Sequence, residues 1–221
     1  MAIPALIDKQ DTAEIVRDQI SAILALEVAS QVQLAAAAAR DPDDYRLRVF
    51  QERSSPWEVF PSNVTNTTPV VNVSWDTSTF DGNASNAIER QKSVALYNLD
   101  CYGYGVSRDV PAGGHSAGDQ NATEEAQRAV RLVRNILMAA EYTYLDLRGV
   151  VWRRWVNSIS LFQPQQDNQN VHHVAAARVV LRVEFNEYSP QFELETLDLL
   201  TVDVHRTEDD QIVIEADYDY T

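Results

Sequence analysis

In residues 176–186 apolar and polar side chains alternate almost without a break. Ala177, Val179, Leu181, Val183 and Phe185 stand against Arg178, Arg182, Glu184 and Asn186. A period of two over this length predicts a strand with one face in a core and one face outside it. The pattern recurs in 92–104, where Ala95, Tyr97, Leu99 and Cys101 alternate with Leu96, Asn98, Asp100 and Tyr102. Over a shorter stretch Val71, Val73 and Trp75 alternate with Asn72, Ser74 and Asp76. Residues 150–156 and 158–162 predict two shorter strands. A sheet built from such strands needs a second layer over its apolar face.

Two segments can supply that layer. Asp11 with Glu14 three residues on reads as a capping box, and Val16, Ile20, Leu24, Val28 and Val32 follow at a spacing of four. The alanine-rich stretch 34–39 favours helix, and Asp41-Pro42-Asp43-Asp44 ends it. A second capping box, Asn121 with Glu124, predicts a helix from about 121–123 to 147, with Gly149 just past its end. Its core stripe would be Ala126, Ala129, Val130, Val133, Ile136, Leu137, Ala140 and Tyr144, with Arg131, Met138 and Tyr142 opposite. Stretches 62–69, 76–86 and 106–120 are rich in Asn, Ser, Thr, Asp or Gly and read as polar loops.

The chain ends in an acidic stretch. Residues 200–206 and 211–218 flank Thr207-Glu208-Asp209-Asp210 and predict a β-hairpin. In its second strand Ile212, Ile214, Ala216 and Tyr218 alternate with Glu215, Asp217 and Asp219. The expected fold is α+β: a mixed or antiparallel sheet packed by two long helices, with an acidic C-terminal β-hairpin. Residues 1–190 are expected to form one domain with polar loop insertions at 62–86 and 106–120. Residues 191–221 are expected to be the hairpin extension.

Charge narrows the function. The chain of 221 residues carries a formal charge of -15. A protein that wraps nucleic acid needs a basic surface, so that class is disfavoured. The charge is uneven: residues 124–183 hold five acids and eight arginines, and 184–220 hold twelve acids and one base. The acidic end is either a solvated surface or a surface complementary to the arginine-rich middle of another copy. A single cysteine forms no internal disulfide, and four scattered histidines give little material for a zinc site. No uninterrupted apolar run reaches the roughly 18 residues of a membrane span, and no charged-then-apolar leader opens the chain.

Motifs that would carry chemistry are weak. Gly113-Gly114-His115-Ser116-Ala117-Gly118 lacks the lysine and hydroxyl ending of a phosphate-binding loop. Gly103-Tyr104-Gly105-Val106-Ser107 contains no nucleophile elbow. His172 and His173 are adjacent, so in a strand they point to opposite faces and do not chelate one metal. Cys101 falls on an inward face. Glu208, Asp209 and Asp210 match no calcium loop. Trp152-Arg153-Arg154-Trp155 is a basic–aromatic cluster, read as packing and cation–π contact before nucleic-acid stacking. No catalytic residue, cofactor-binding residue, cofactor or metal ligand is singled out.

The order of elements resembles a known family. A long N-terminal helix, the strand Ser93 to Tyr104, a Gly/Pro loop, the helix from Ala126 to Leu147 and the strand Arg178 to Phe185 resemble the neck proteins of tailed bacteriophages. The match is to the tail terminator, or tail completion, family, over roughly residues 11–188. The resemblance implies a structural virion protein without enzymatic activity, assembled in the host cytoplasm. It implies a homo-oligomeric ring, commonly a hexamer, at the head-proximal end of the tail. Such a ring stops tube polymerisation and joins the tail to the head connector. Its partners would be the tail tube protein and the connector or neck proteins. Genomic DNA would pass through the lumen without specific binding, and no membrane would be involved. Interface candidates are Arg128, Arg131, Met138, Tyr142, Arg153, Arg154, Glu215, Asp217 and Asp219. The alternatives are another head-completion or tube-adaptor subunit, a small bacterial enzyme with a carboxylate site, and a monomeric binding module.

Overall fold

The structure is a computed structural model. It describes residues 10–60, 67–81, 90–110, 114–164 and 172–188, together with the backbone of 199–205 and 212–219. The chain divides into two compact units: Ile7–Ser189, and a second made of Met1–Leu6 and Pro190–Thr221.

In the larger unit the order is helix α1 (Thr12–Ala37), strands β1 (Arg48–Gln51), β2 (Val70–Phe80) and β3 (Arg90–Val106), and a small hairpin of β4 (Arg108–Val110) and β5 (Gly114–Ser116). Helix α2 (Gly118–Met138), β6 (Val151–Phe162) and β7 (His172–Tyr188) follow. One five-stranded mixed sheet runs β1-β2-β3-β7-β6, parallel between β1 and β2 and antiparallel elsewhere. The α+β expectation with a mixed sheet is met. In the smaller unit β8 (Leu199–His205) and β9 (Ile212–Asp219) pair antiparallel, with Val202 opposite Ala216.

The alternation in the sequence sets the two faces. Ala95, Tyr97, Leu99 and Cys101 on β3 and Val179, Leu181, Val183 and Phe185 on β7 are buried with at most 1% exposure. They meet Val16, Ile20, Ile23, Leu24 and Val28 of α1 and Ala126, Ala129, Val133 and Leu137 of α2 in one core. Both helices therefore cover the same sheet face. Each large aliphatic side chain buried there stabilises the fold by about 1.5–3 kcal/mol.

Helix α1 starts where the sequence indicates: the Glu14 carboxylate accepts the Asp11 backbone N–H at 3.1 Å. The Glu187 carboxylate accepts the Thr12 N–H at 2.9 Å, placing negative charge at the positive end of the helix dipole. The Tyr97 hydroxyl donates to the Ala13 carbonyl at 2.9 Å and ties the helix to the sheet. By length and composition α1 is apolar enough to cross a membrane, its best 18-residue window having a mean hydropathy of 1.5. This differs from the sequence expectation, which looked for an unbroken apolar run. Its few charges are spread out, its inner stripe belongs to the core, and Leu26 and Leu34 on its outer side are 63% and 60% exposed.

Helix α2 departs from expectation at both ends. It begins three residues before Asn121, with Ala117 at the N-cap. The cap comes from a distant residue: the Ser107 hydroxyl accepts the Gly118 N–H at 3.1 Å. Asn121 lies inside the helix and donates to Ser116 Oγ instead. The helix stops at Met138, because Ala139 turns extended. Leu145 and Asp146 then take positive φ of 50° and 55°. The core stripe thus ends before Ala140, Tyr144 is 42% exposed, and Tyr142 turns inward. Gly149 (φ 87°) follows a turn rather than this helix.

Three further readings change. The two expected strands are one, β6, whose register is irregular between Val151 and Arg153 and between Val156 and Ser158. Residues 76–80 belong to β2 and are not loop. The 106–120 segment holds the end of β3, the β4–β5 hairpin and the start of α2, with Gly118 buried.

The glycines of β3 set how closely α2 lies. A Cβ on Gly103 would stand 2.1 Å from the Ala122 carbonyl oxygen and 2.4 Å from the Ala126 nitrogen. One on Gly105 would stand 2.0 Å from the Gly118 carbonyl oxygen. The helix backbone itself rests on these positions, so no side chain can move aside. Gly103→Ala is expected to lower unfolding free energy by about 3 kcal/mol or to abolish folding, at or above the usual range for overpacking. Gly149→Ala, with nothing within 4 Å of the new Cβ, pays only backbone strain of about 1 kcal/mol. Chemical denaturation of the two variants checks this order; equal losses would contradict it.

Candidate interaction surface

The sheet face turned away from the helices carries charged side chains in register. Asp100 lies opposite Arg178 in the β3–β7 ladder. The Arg178 guanidinium donates to both carboxylate oxygens of Asp100, at 2.6 and 2.8 Å. This bidentate pair fixes the guanidinium in a plane 5.4 Å from the Phe162 ring centroid. Six residues further along β7, Glu184 is surrounded by cations: Lys92 Nζ at 3.7 Å, Arg182 Nη2 at 3.7 Å and Arg153 Nε at 3.8 Å. Arg153 and Arg182 also lie over the Trp155 ring, 4.8 and 4.9 Å from its centroid. Here cations outnumber carboxylates, against the sign of the whole chain. An open cavity of about 350 Å³ beside this group is lined by Phe80, Asp81, Lys92, Leu96, Arg182 and Glu184, among others.

The other end of this face is aromatic. Tyr102 and Tyr104 of β3 pack with Phe60, Val70 and Ala176. The Tyr104 ring stacks on Phe60 at 5.3 Å and on His172 at 5.8 Å, and its hydroxyl bonds His172 Nδ1. His173, one residue on, contacts Ser107 Oγ through Nε2 at 3.1 Å. The two histidines thus serve opposite faces, as their adjacency predicts. Sequence reasoning did not find the serine–histidine contact, since Ser107, between β3 and β4, lies far along the chain from His173 on β7. Ser107 Oγ is already the acceptor for the Gly118 N–H, and no carboxylate among the described residues orients the His173 ring. The contact joins the β3–β4 junction, β7 and the start of α2.

The interface candidates fall in different settings. Arg128 is bound within the chain, donating to the Asp43 and Asp44 carbonyls and to Glu125. It lines an open polar cavity of about 570 Å³ with Asp43, Asp44, Arg46 and Glu125. Arg131 and Met138 are exposed on α2. Tyr142 is 5% exposed, its hydroxyl donating to Glu27 at 2.6 Å. Arg154 turns back to the end of α2 and donates to the Tyr142 carbonyl at 2.6 Å and the Ala139 carbonyl at 2.5 Å. It serves as a cap on the helix C-terminus. Arg153 is the exposed member of the pair, with its side chain 68% exposed. Glu215, Asp217 and Asp219 lie on β9 opposite Asp203, Thr201 and Leu199 in the backbone register. Their side chains lie outside the described residues, as does the 206–211 turn. The structure brings Arg153 together with Lys92, Arg182 and Glu184, none of them among the interface candidates. The polar half of the β7 alternation was the signal for Arg182 and Glu184.

The comparisons with known proteins add no relative. No family model matches the chain, and no curated protein matches it significantly.

Burial shifts several tyrosines in one direction. Burial raises the phenols of Tyr97, Tyr102 and Tyr104, with the Asp100 charge adding at Tyr102. The Tyr142 phenol is raised first by its hydrogen bond to Glu27 and then by burial. A raised folded value means their contribution to stability is complete below the ordinary tyrosine value of about 10 and is lost as pH climbs above it. Of nine tyrosines, these four are expected to stay protonated in an absorbance titration until the chain unfolds above about pH 10. Free titration of all nine near the ordinary value, with the fold intact, would contradict this.

Proposed function

We propose that the chain is a structural subunit of a tailed-phage virion, a tail terminator at the head-proximal end of the tail. In this reading copies assemble into a ring that stops tube growth and offers a surface to the head connector. It acts by shape and association, without catalysing a reaction. The observation that carries the reading is the order helix, three strands, helix, two strands around one mixed sheet, with both helices on one face. The other face carries an excess of cations in a strongly acidic chain.

Electrostatics supports the same reading. A lumen lined by carboxylates would repel phosphate and let DNA pass without binding. Acid-rich 191–221, the proposed hairpin extension, and the arginines of the open face would supply the contacts between neighbouring copies.

The test is to add the purified chain to polymerising tail tube protein from the same phage. Tubes are expected to stop lengthening, with a ring visible at one end by electron microscopy. Unchanged growth with no density at either end would contradict the proposal.

A further inference from the structure

Strand β6 is an end strand of the sheet, and no described strand lies on its outer side. Edge strands are usually protected by charge, proline, bulges or a covering element. Here the protection is partial. Two register irregularities fall in the first half of β6, and none after Ser158. From Trp155 to Gln166 the sequence contains no charged residue. Ile159 and Leu161, on the side of the sheet that the helices cover, are 48% and 60% exposed. The opposite side of the same strand carries Arg153 and Trp155, next to Arg182 on β7. The edge therefore presents backbone groups that no described strand takes, aliphatic side chains on one side and guanidinium groups on the other.

Two copies of a chain with charge -15 repel each other, so they meet most readily where acids are absent. The β6 edge is such a place. The chain also contains a strand of complementary pattern: in residues 212–219 Ile212, Ile214 and Ala216 alternate with Glu215, Asp217 and Asp219. We propose that the outer edge of β6 receives residues 212–219 of a second copy as an added strand. Main-chain hydrogen bonds would supply affinity, and the alternation of aliphatic and acidic residues would set the facing. This inference rests on the self-association reading above and names the surface through which it occurs.

The test mixes two full-length variants, Ser160→Cys and Glu215→Cys, at high concentration under mild oxidation. Disulfides between copies are identified by mass spectrometry. Cys101 is fully buried and its thiol is pushed up by burial, so it does not compete. In the reference mixture Gln127→Cys, on the exposed side of α2, replaces Ser160→Cys. The Ser160→Cys/Glu215→Cys product is expected to exceed the reference product about tenfold. Adding Ile159→Lys and Leu161→Lys is expected to lower it about tenfold, with the thermal melt unchanged because both sites are exposed. Equal yields in the two mixtures, no product, or only Ser160→Cys homodimers would overturn the inference. A chain that caps tail tubes without the cross-link would overturn this edge contact alone. A specific cross-link in a chain that never caps a tube would overturn the terminator reading alone.

Discussion

The close seating of α2 on Gly103 and Gly105 is the constraint on which the rest of the larger unit depends. Because the helix backbone touches the strand backbone there, α2 lies low across β3 and beside β7. Helix α1 shares the same face, anchored by Tyr97 and Glu187. With both helices on one side, no helix among the described residues covers the other. Asp100–Arg178 and the cations around Glu184 solve the solvation of that open face by pairing in register across strands. The gathering of three cations on the one Glu184 carboxylate follows from the same arrangement.

Much of this fold is legible in the sequence. Period-two alternation identifies β3 and β7 and sorts their side chains onto the correct faces. The spacing-four stripe and capping box place α1 to within a residue of its start. The errors have a common physical cause, which is that the deciding interactions are non-local. Ser107 caps α2 from another element, so the local signal at Asn121 misplaced the start. The Arg154 guanidinium takes the carbonyls that follow α2, and the chain leaves the helix although the apolar pattern continues to Tyr144. The short β1 pairs in parallel with β2 across a connection that periodicity does not reveal.

The cation-rich sheet face was legible only in part. Arg153 was recognised, but Arg128 and Arg154 are bound to carbonyls of their own chain and Tyr142 is buried against Glu27. Composition shows that arginines are abundant in 124–183 without showing which of them are already satisfied. Register decides that: Arg178 is held by Asp100 because the β3–β7 ladder sets them opposite each other. Arg153 and Arg182 share one carboxylate and one indole ring with Lys92 nearby, which leaves them available to a partner.

A cryo-electron microscopy reconstruction of the chain bound at the end of a tail tube tests the central claim, self-association without chemistry, most directly. The account expects a closed ring with acidic or neutral groups around its hole and the cation-rich sheet face turned toward a neighbouring copy. A solitary subunit holding a small molecule in an enclosed cleft, or a hole lined with arginine, would contradict it.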